Sequence, residues 1–199
     1  DNFIQVAAFN LDFPLTSISK TILTGCETQS SLYLYAMYRA NDIAYFYQSP
    51  NNGLNWQYKS QIAGDYLIPF TKNSFTCSTL DPQKIYVGGM ECFRSFDGGS
   101  SWTKLNEWWE YYDNMNSMLH ADIPGIEMFR IGDNFEFALI STDAGTYLSY
   151  DDLLSVQNIS LNGLRISQYY STYTHRDNPD IVFAGSQDQG FQRTLNAGA

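Results

Sequence analysis

The sequence predicts an all-β fold assembled from repeated small sheets, and three observations lead there. Aromatic residues fill 16% of the 199 positions, with 15 Tyr and 13 Phe, a composition that suits strands better than helices. Charged residues are also only 16%, too few to coat the outer faces of helices. The third observation is an octet, SFDGGSSW at Ser95 to Trp102, that recurs along the chain.

The octet reads as a tight turn, with glycines between Asp and Ser and a Trp leaving on the next strand. SPNNGLNW repeats it with Ser49, Asn51, Gly53 and Trp56 in place of Ser95, Asp97, Gly99 and Trp102. A third copy keeps Ser149 and Asp151 but loses the Gly and the Trp. A fourth keeps Thr194, Asn196 and Gly198. The four boxes start at 49, 95, 149 and 194, so they are 46, 54 and 45 residues apart.

Each box follows a similar text: an apolar stretch, a short turn and a second apolar stretch. KIYVGGMECFRS, FALISTDAGTYLS and DIVFAGSQDQGFQRT share that pattern, and LYLYAMYRANDIAYFYQS fits it more loosely. A hairpin, a box turn and another strand make four strands in about 45 residues, the period of a β-propeller blade. The expected fold is therefore a β-propeller of four-stranded antiparallel blades, with about four visible. The approximate blades are 15–60, 61–106, 118–160 and 165–199 of a single domain. Residues 1–10 carry NFIQVAAFN, either a strand of a preceding blade or one that closes a four-bladed ring. The expectation favoured is a stretch of a longer propeller.

The pattern Ser-x-Asp-x-Gly-x-x-Trp resembles the Asp-box, or bacterial neuraminidase repeat, of secreted bacterial and sortilin-like propeller proteins. LHADIPGIEMF and AGSQDQGF resemble segments of secreted bacterial proteins with these repeats. The resemblance implies that each box sits between a blade's third and fourth strands as fold punctuation. The physics agrees: Ser95 and Asp97 can accept from turn N–H groups, Gly99 can take positive φ, and Trp102 can cover the hairpin.

Strand alternation then puts the second-to-third turns, and the connections between blades, at the end opposite the boxes. By family analogy that end binds ligands. Glu91, Asp143 and Asp188 lie in three such turns, with Gln187 beside the last, and His120 and Asp122 lie where the third inner strand should begin. With one His, this ring of acids could bind a cation or serve acid/base chemistry, for which Asp122, Asp143, Asp188 and His120 are the candidates; backbone-bonded turn acids and a structural His are the alternative. The long interval between the second and third boxes places extra residues in NEWWEYYDNMNSM. Trp108, Trp109, Tyr111 and Tyr112 there either form a ligand surface with Glu91 and Gln187 or pack inside a longer strand.

Several classes are disfavoured. The net charge is −10 and the 11 basic residues are scattered, which argues against nucleic acid as a partner. No run of apolar residues is long enough for a transmembrane helix. Cys26, Cys77 and Cys92 give neither a disulfide framework nor zinc spacing, so no metal and no cofactor are expected. Cys77 and Cys92 fall on the first and third strands of one blade, about 10 Å apart, too far to bridge. Asn158-Ile159-Ser160 is a glycosylation sequon in form.

The expected function is a secreted or cell-surface binding module for a carbohydrate or a protein, with the boxes structural. The alternatives are a glycoside hydrolase using paired carboxylates and an architectural subunit of a larger surface assembly. Phe129-Arg130-Ile131-Gly132 only faintly resembles the sialidase Phe-Arg-Ile-Pro motif, without its Pro.

Overall fold

The computed structural model describes residues 20–28, 30–40, 42–64, 67, 72–160, 169–186 and 190–196. The segment 2–10 lies outside them, as do Gln187, Asp188 and Gly198. The chain divides into two compact units, one up to Ile159 and one from Ser160.

The first unit holds three antiparallel meanders of four strands. Strands β1 (Lys20–Glu27), β2 (Leu32–Ala40), β3 (Ile43–Ser49) and β4 (Gln57–Ala63) form the first sheet. The second is β5 (Phe75–Cys77), β6 (Ile85–Gly88), β7 (Cys92–Ser95) and β8 (Thr103–Lys104). The third is β9 (Gly125–Ile131), β10 (Phe135–Thr142), β11 (Gly145–Ser149) and β12 (Gln157–Asn158). In the second unit β13 (Tyr169–Thr174), β14 (Val182–Ser186) and β15 (Gly190–Thr194) repeat the meander.

Two apolar cores join the three sheets of the first unit. Ile22, Met37 and Phe46 of the first sheet meet Phe75, Ile85 and Val87 of the second. Tyr86 and Cys92, on the opposite face of the second sheet, meet Ile126, Ala138, Ile140 and Tyr147 of the third. Strand β6 is buried on both faces, because Ile85 and Val87 enter one core while Tyr86 enters the other. Its last residue, Gly88, has no room for a side chain: a Cβ there would stand 2.6 Å from Ile123 Cγ2.

The first strands lie side by side, β1 against β5 and β5 against β9. Four-stranded meanders stacked face to face, with their first strands adjacent, are propeller blades. The chain is an all-β protein of the β-propeller type. Polar ties also cross between blades: Glu136 of β10 accepts from the hydroxyl of Ser78 and from the backbone N–H and hydroxyl of Thr79, the last two at 2.8 Å.

Cys77 and Cys92 lie on β5 and β7, the first and third strands of one sheet, and all three thiols are buried and free. Asn158 of the sequon is buried, and its amide donates to the Met115 carbonyl at 3.2 Å, so the folded chain does not present it.

Candidate functional site

The boxes fix which end of the sheets is free for other work. All three boxes of the first unit occupy the turn between a third and a fourth strand. The first hydroxyl accepts from the N–H four residues on: Gly53 to Ser49 at 3.0 Å, Gly99 to Ser95 at 2.9 Å, Leu153 to Ser149 at 3.0 Å. The third side chain accepts from the N–H at the seventh position: Asn55 to Asn51 at 3.0 Å, Ser101 to Asp97 at 2.8 Å, Ser155 to Asp151 at 2.9 Å. The fourth and fifth residues are left-handed in every one of these copies: Asn52 and Gly53, Gly98 and Gly99, Asp152 and Leu153.

The third box thus keeps the whole conformation with Leu at the glycine position, at φ 60°. A left-handed Leu costs roughly 1–2 kcal/mol. Its side chain is 1% exposed in the second core, and burial of that kind returns about 1.5–3 kcal/mol. At the eighth position Trp102 lays its ring 4.3 Å from Phe46 and donates to Ser60 Oγ at 3.0 Å. Trp56 packs on the tyrosines of the first sheet, and Val156 takes the place of a Trp in the second core. Thr194 donates to Asn196 Oδ1 at 2.6 Å, the start of the same turn.

Burial alone would raise the Asp97 carboxyl, but hydrogen bonds from Ser101, Ser95 and the Ser100 backbone outweigh it and hold it below the usual range. Asp151 is held down in the same way, chiefly by Ser155 against a similar burial effect. The Asp97 and Asp151 carboxylates are each consumed by their own turn.

At the end of β8 away from its own box, the connection from β8 to β9 is an Ω-loop whose neck is one side chain and lies beside Leu153–Val156 of the third box. Asn106 accepts from Leu119 N–H at 3.0 Å and donates to the Leu119 carbonyl at 3.0 Å and to that of Glu107 at 2.8 Å. The amide thereby mimics a paired strand residue and closes residues 106–119. A 3-10 helix, Trp108–Tyr112, opens the loop, with the Glu110 carboxylate accepting from Glu107 N–H at 2.8 Å. The far side of the loop is fixed to the third sheet. There Asn158 N–H donates to the Asn116 carbonyl at 2.7 Å, and Tyr147 Oη donates to that of Met115 at 3.3 Å. The outer strand of the third blade is thus a backstop for the loop.

The loop presents rings outward. Trp109 and Tyr112 are more than half exposed, and Trp108 and Met115 are exposed beside them. Trp108 stands edge-on to Trp109, at 5.8 Å and 84°, and to Tyr112, at 6.5 Å and 83°. Tyr111 turns inward onto the His120 ring, 4.7 Å away. His120 is buried: Nδ1 lies 3.2 Å from the Ala121 carbonyl, which can only accept, and Nε2 lies 3.4 Å from the Tyr112 hydroxyl. His120 was a candidate for acid/base chemistry; the structure gives it the packing of a structural histidine.

Glu91, expected as an acid on the ligand face, has a fully buried carboxylate beneath the loop. Lys104 Nζ lies 2.5 Å from it and 2.9 Å from Glu107, and Trp108 N–H donates to it at 3.3 Å. Burial pushes the Glu91 carboxyl up, partly opposed by Lys104, while Lys104 holds Glu107 down. Two carboxylates therefore face each other, but an ammonium group lies between them. The space around Glu91 and His120 has no volume for a water molecule. This arrangement anchors the loop.

Asp122 lies beside the β6–β7 turn, at φ 61°, with its N–H donating to the Met90 carbonyl at 3.2 Å. Asp143 is exposed in the turn between β10 and β11. A separate concavity of about 470 Å³ opens where the inner strands β1, β5 and β9 meet, with Thr24, Lys72, Asn73, Thr76 and Glu127 on its wall. Among the described residues, no three His, Cys, Asp or Glu side chains gather as a metal site. Asn106, Lys104, Lys72 and Glu127 were not among the sequence candidates, since nothing in their immediate neighbours marks them.

No protein-family model matches the sequence, and no curated protein matches it. Among solved structures the chain is similar to the GH74 enzyme of Niastella koreensis, at 12% identity and a TM-score of 0.49, over 84% of this chain and 26% of that one. It is also similar to YCF48 bound to D1 peptide, at 14% identity and a TM-score of 0.45, over 88% of this chain and 57% of that one. The chain spans about a quarter of the first protein and just over half of the second.

Proposed function

We propose that this chain is a binding module of a secreted or cell-surface propeller of the Asp-box type. Its boxes hold the blades, and its ligand surface is the aromatic loop at the opposite end. The observation that carries the reading is the combination of Trp108, Trp109 and Tyr112 exposed on a loop held at its neck, base and far side. Exposed rings on a mobile loop would lose much of their binding energy to ordering. Rings already fixed do not, and flat aromatic faces suit sugar rings or the side chains of a protein partner.

The facing carboxylates Glu91 and Glu107 are bridged by Lys104 and have no cavity between them, so they give a hydrolytic reading no support. The test is isothermal titration calorimetry against soluble β-glucan, xylan and chitin oligosaccharides and against a Lys/Arg-containing peptide. A saturable heat that Trp108→Ala/Trp109→Ala removes, with folding intact, is the expected result. Binding that survives the double substitution overturns the proposal.

A further inference from the structure

We infer that Cys26 and Cys77 are an oxidisable pair that forms a disulfide between the first two blades. Three cysteines allow three pairings, and the cores separate them. Cys26 and Cys77 lie in the core between the first and second sheets, whereas Cys92 lies in the core on the other side of the second sheet. A bridge to Cys92 would have to pass through that sheet.

Cys26 stands on β1 and Cys77 on β5, and these strands are neighbours without sharing a hydrogen-bonded sheet. Thr24 Oγ1 lies 3.8 Å from the Cys77 sulfur. Thr24 and Cys26 are two residues apart on one strand, so both point at the same face, toward Cys77. Sequence reading missed this pair because its members are 51 residues apart and belong to different repeats.

The oxidant class is a small-molecule disulfide such as oxidised glutathione. One cysteine thiolate attacks a sulfur of that disulfide and expels one thiolate, leaving a mixed disulfide on the chain. The second cysteine thiolate attacks the chain-side sulfur and expels the other. Two cysteine thiols lose two protons and two electrons, and one small disulfide becomes two thiols. Burial raises both thiols, Cys77 to about 12, so the closed core disfavours attack. The bond therefore forms while the chain folds in an oxidising medium, before the two sheets seal.

The test is to refold the reduced full chain in a glutathione redox buffer, with a parallel sample in reductant. Free thiols are then capped with N-ethylmaleimide in denaturant. Trypsin places the cysteines on separate peptides, 21–39, 73–84 and 85–94. The expected product carries one cap, on Cys92, has peptides 21–39 and 73–84 joined, and is about 2 Da lighter before capping than the reduced chain. Its melting temperature lies about 10 °C above that of the reduced chain. Cys92→Ser should give the same joined peptides and no cap. Three caps after oxidative refolding, or a bridge through Cys92, would overturn the inference.

Discussion

Arg94, on the third strand of the second blade, donates a guanidinium hydrogen bond to the carbonyl oxygen of Leu153, the fifth residue of the third box. The Ser60 hydroxyl, on the first blade, donates likewise to the carbonyl of Gly99, the fifth residue of the second box, at 2.5 Å. One blade thus grips the box of the next at an equivalent carbonyl, exposed by the left-handed turn. Lys84 and Tyr86 add to the grip on the third box by bonding Asp152, at 2.6 and 3.3 Å. The boxes therefore shape their own hairpins and also lock adjacent blades.

Arg94→Met should cost about 1.5–3 kcal/mol, the usual range for a hydrogen bond from a charged group, and Ser60→Ala about 1 kcal/mol. Urea unfolding of each variant checks this. Equal midpoints for wild type and both variants would mean the ties do not matter.

Leu153 sets burial against backbone strain at one residue. Leu153→Ala loses the buried side chain and keeps the left-handed strain, so it should cost about 2–5 kcal/mol. Leu153→Gly removes more atoms but relieves the strain, so it should be about 1 kcal/mol more stable than Leu153→Ala. Denaturant midpoints decide the order, and the reverse order would contradict the strain.

Asp97 gives a pH signature. Its folded carboxyl is held below the ordinary value, so its contribution is complete above the unfolded value and fades as pH falls through the folded one. Wild type should exceed Asp97→Asn in stability at pH 7, and the gap should close as the solution is taken below about pH 4. Thermal melts across that range test it, and a gap independent of pH would contradict it.

Lys104→Met would leave the Glu91 carboxylate buried without its partner. The expected cost is about 3–5 kcal/mol, with much of it recovered in Lys104→Met/Glu91→Gln. A double-substitution cycle in urea measures the recovery. Independent, additive costs would show that Glu91 does not depend on Lys104.

The box turns were legible in the sequence because each is a set of local bonds within eight residues, and the repeat gave the blade period. Leu153 was the exception: the loss of Gly suggested a degenerate turn, yet Ser149 and Asp151 hold the same geometry. The loop of Trp108, Trp109 and Tyr112 could be located from spacing alone. The inward turn of Tyr111 and the burial of Glu91 could not, because both depend on His120 and Lys104, which fold onto them from elsewhere in the chain. The meeting of Cys26 and Cys77 in one core was hidden for the same reason.

On the proposed function the two ends of the blades divide the labour, one holding the fold and the other offering the binding surface. One measurement tests that division most directly: calorimetric affinity for the tightest-binding probe of the panel, read alongside the unfolding midpoint, for Trp108→Ala/Trp109→Ala and for Asp97→Ala. The loop variant should lose binding at an unchanged midpoint, and the box variant should lose stability while binding as wild type below its melting temperature. A box variant that loses binding while still folded, or a loop variant that keeps it, would contradict the division.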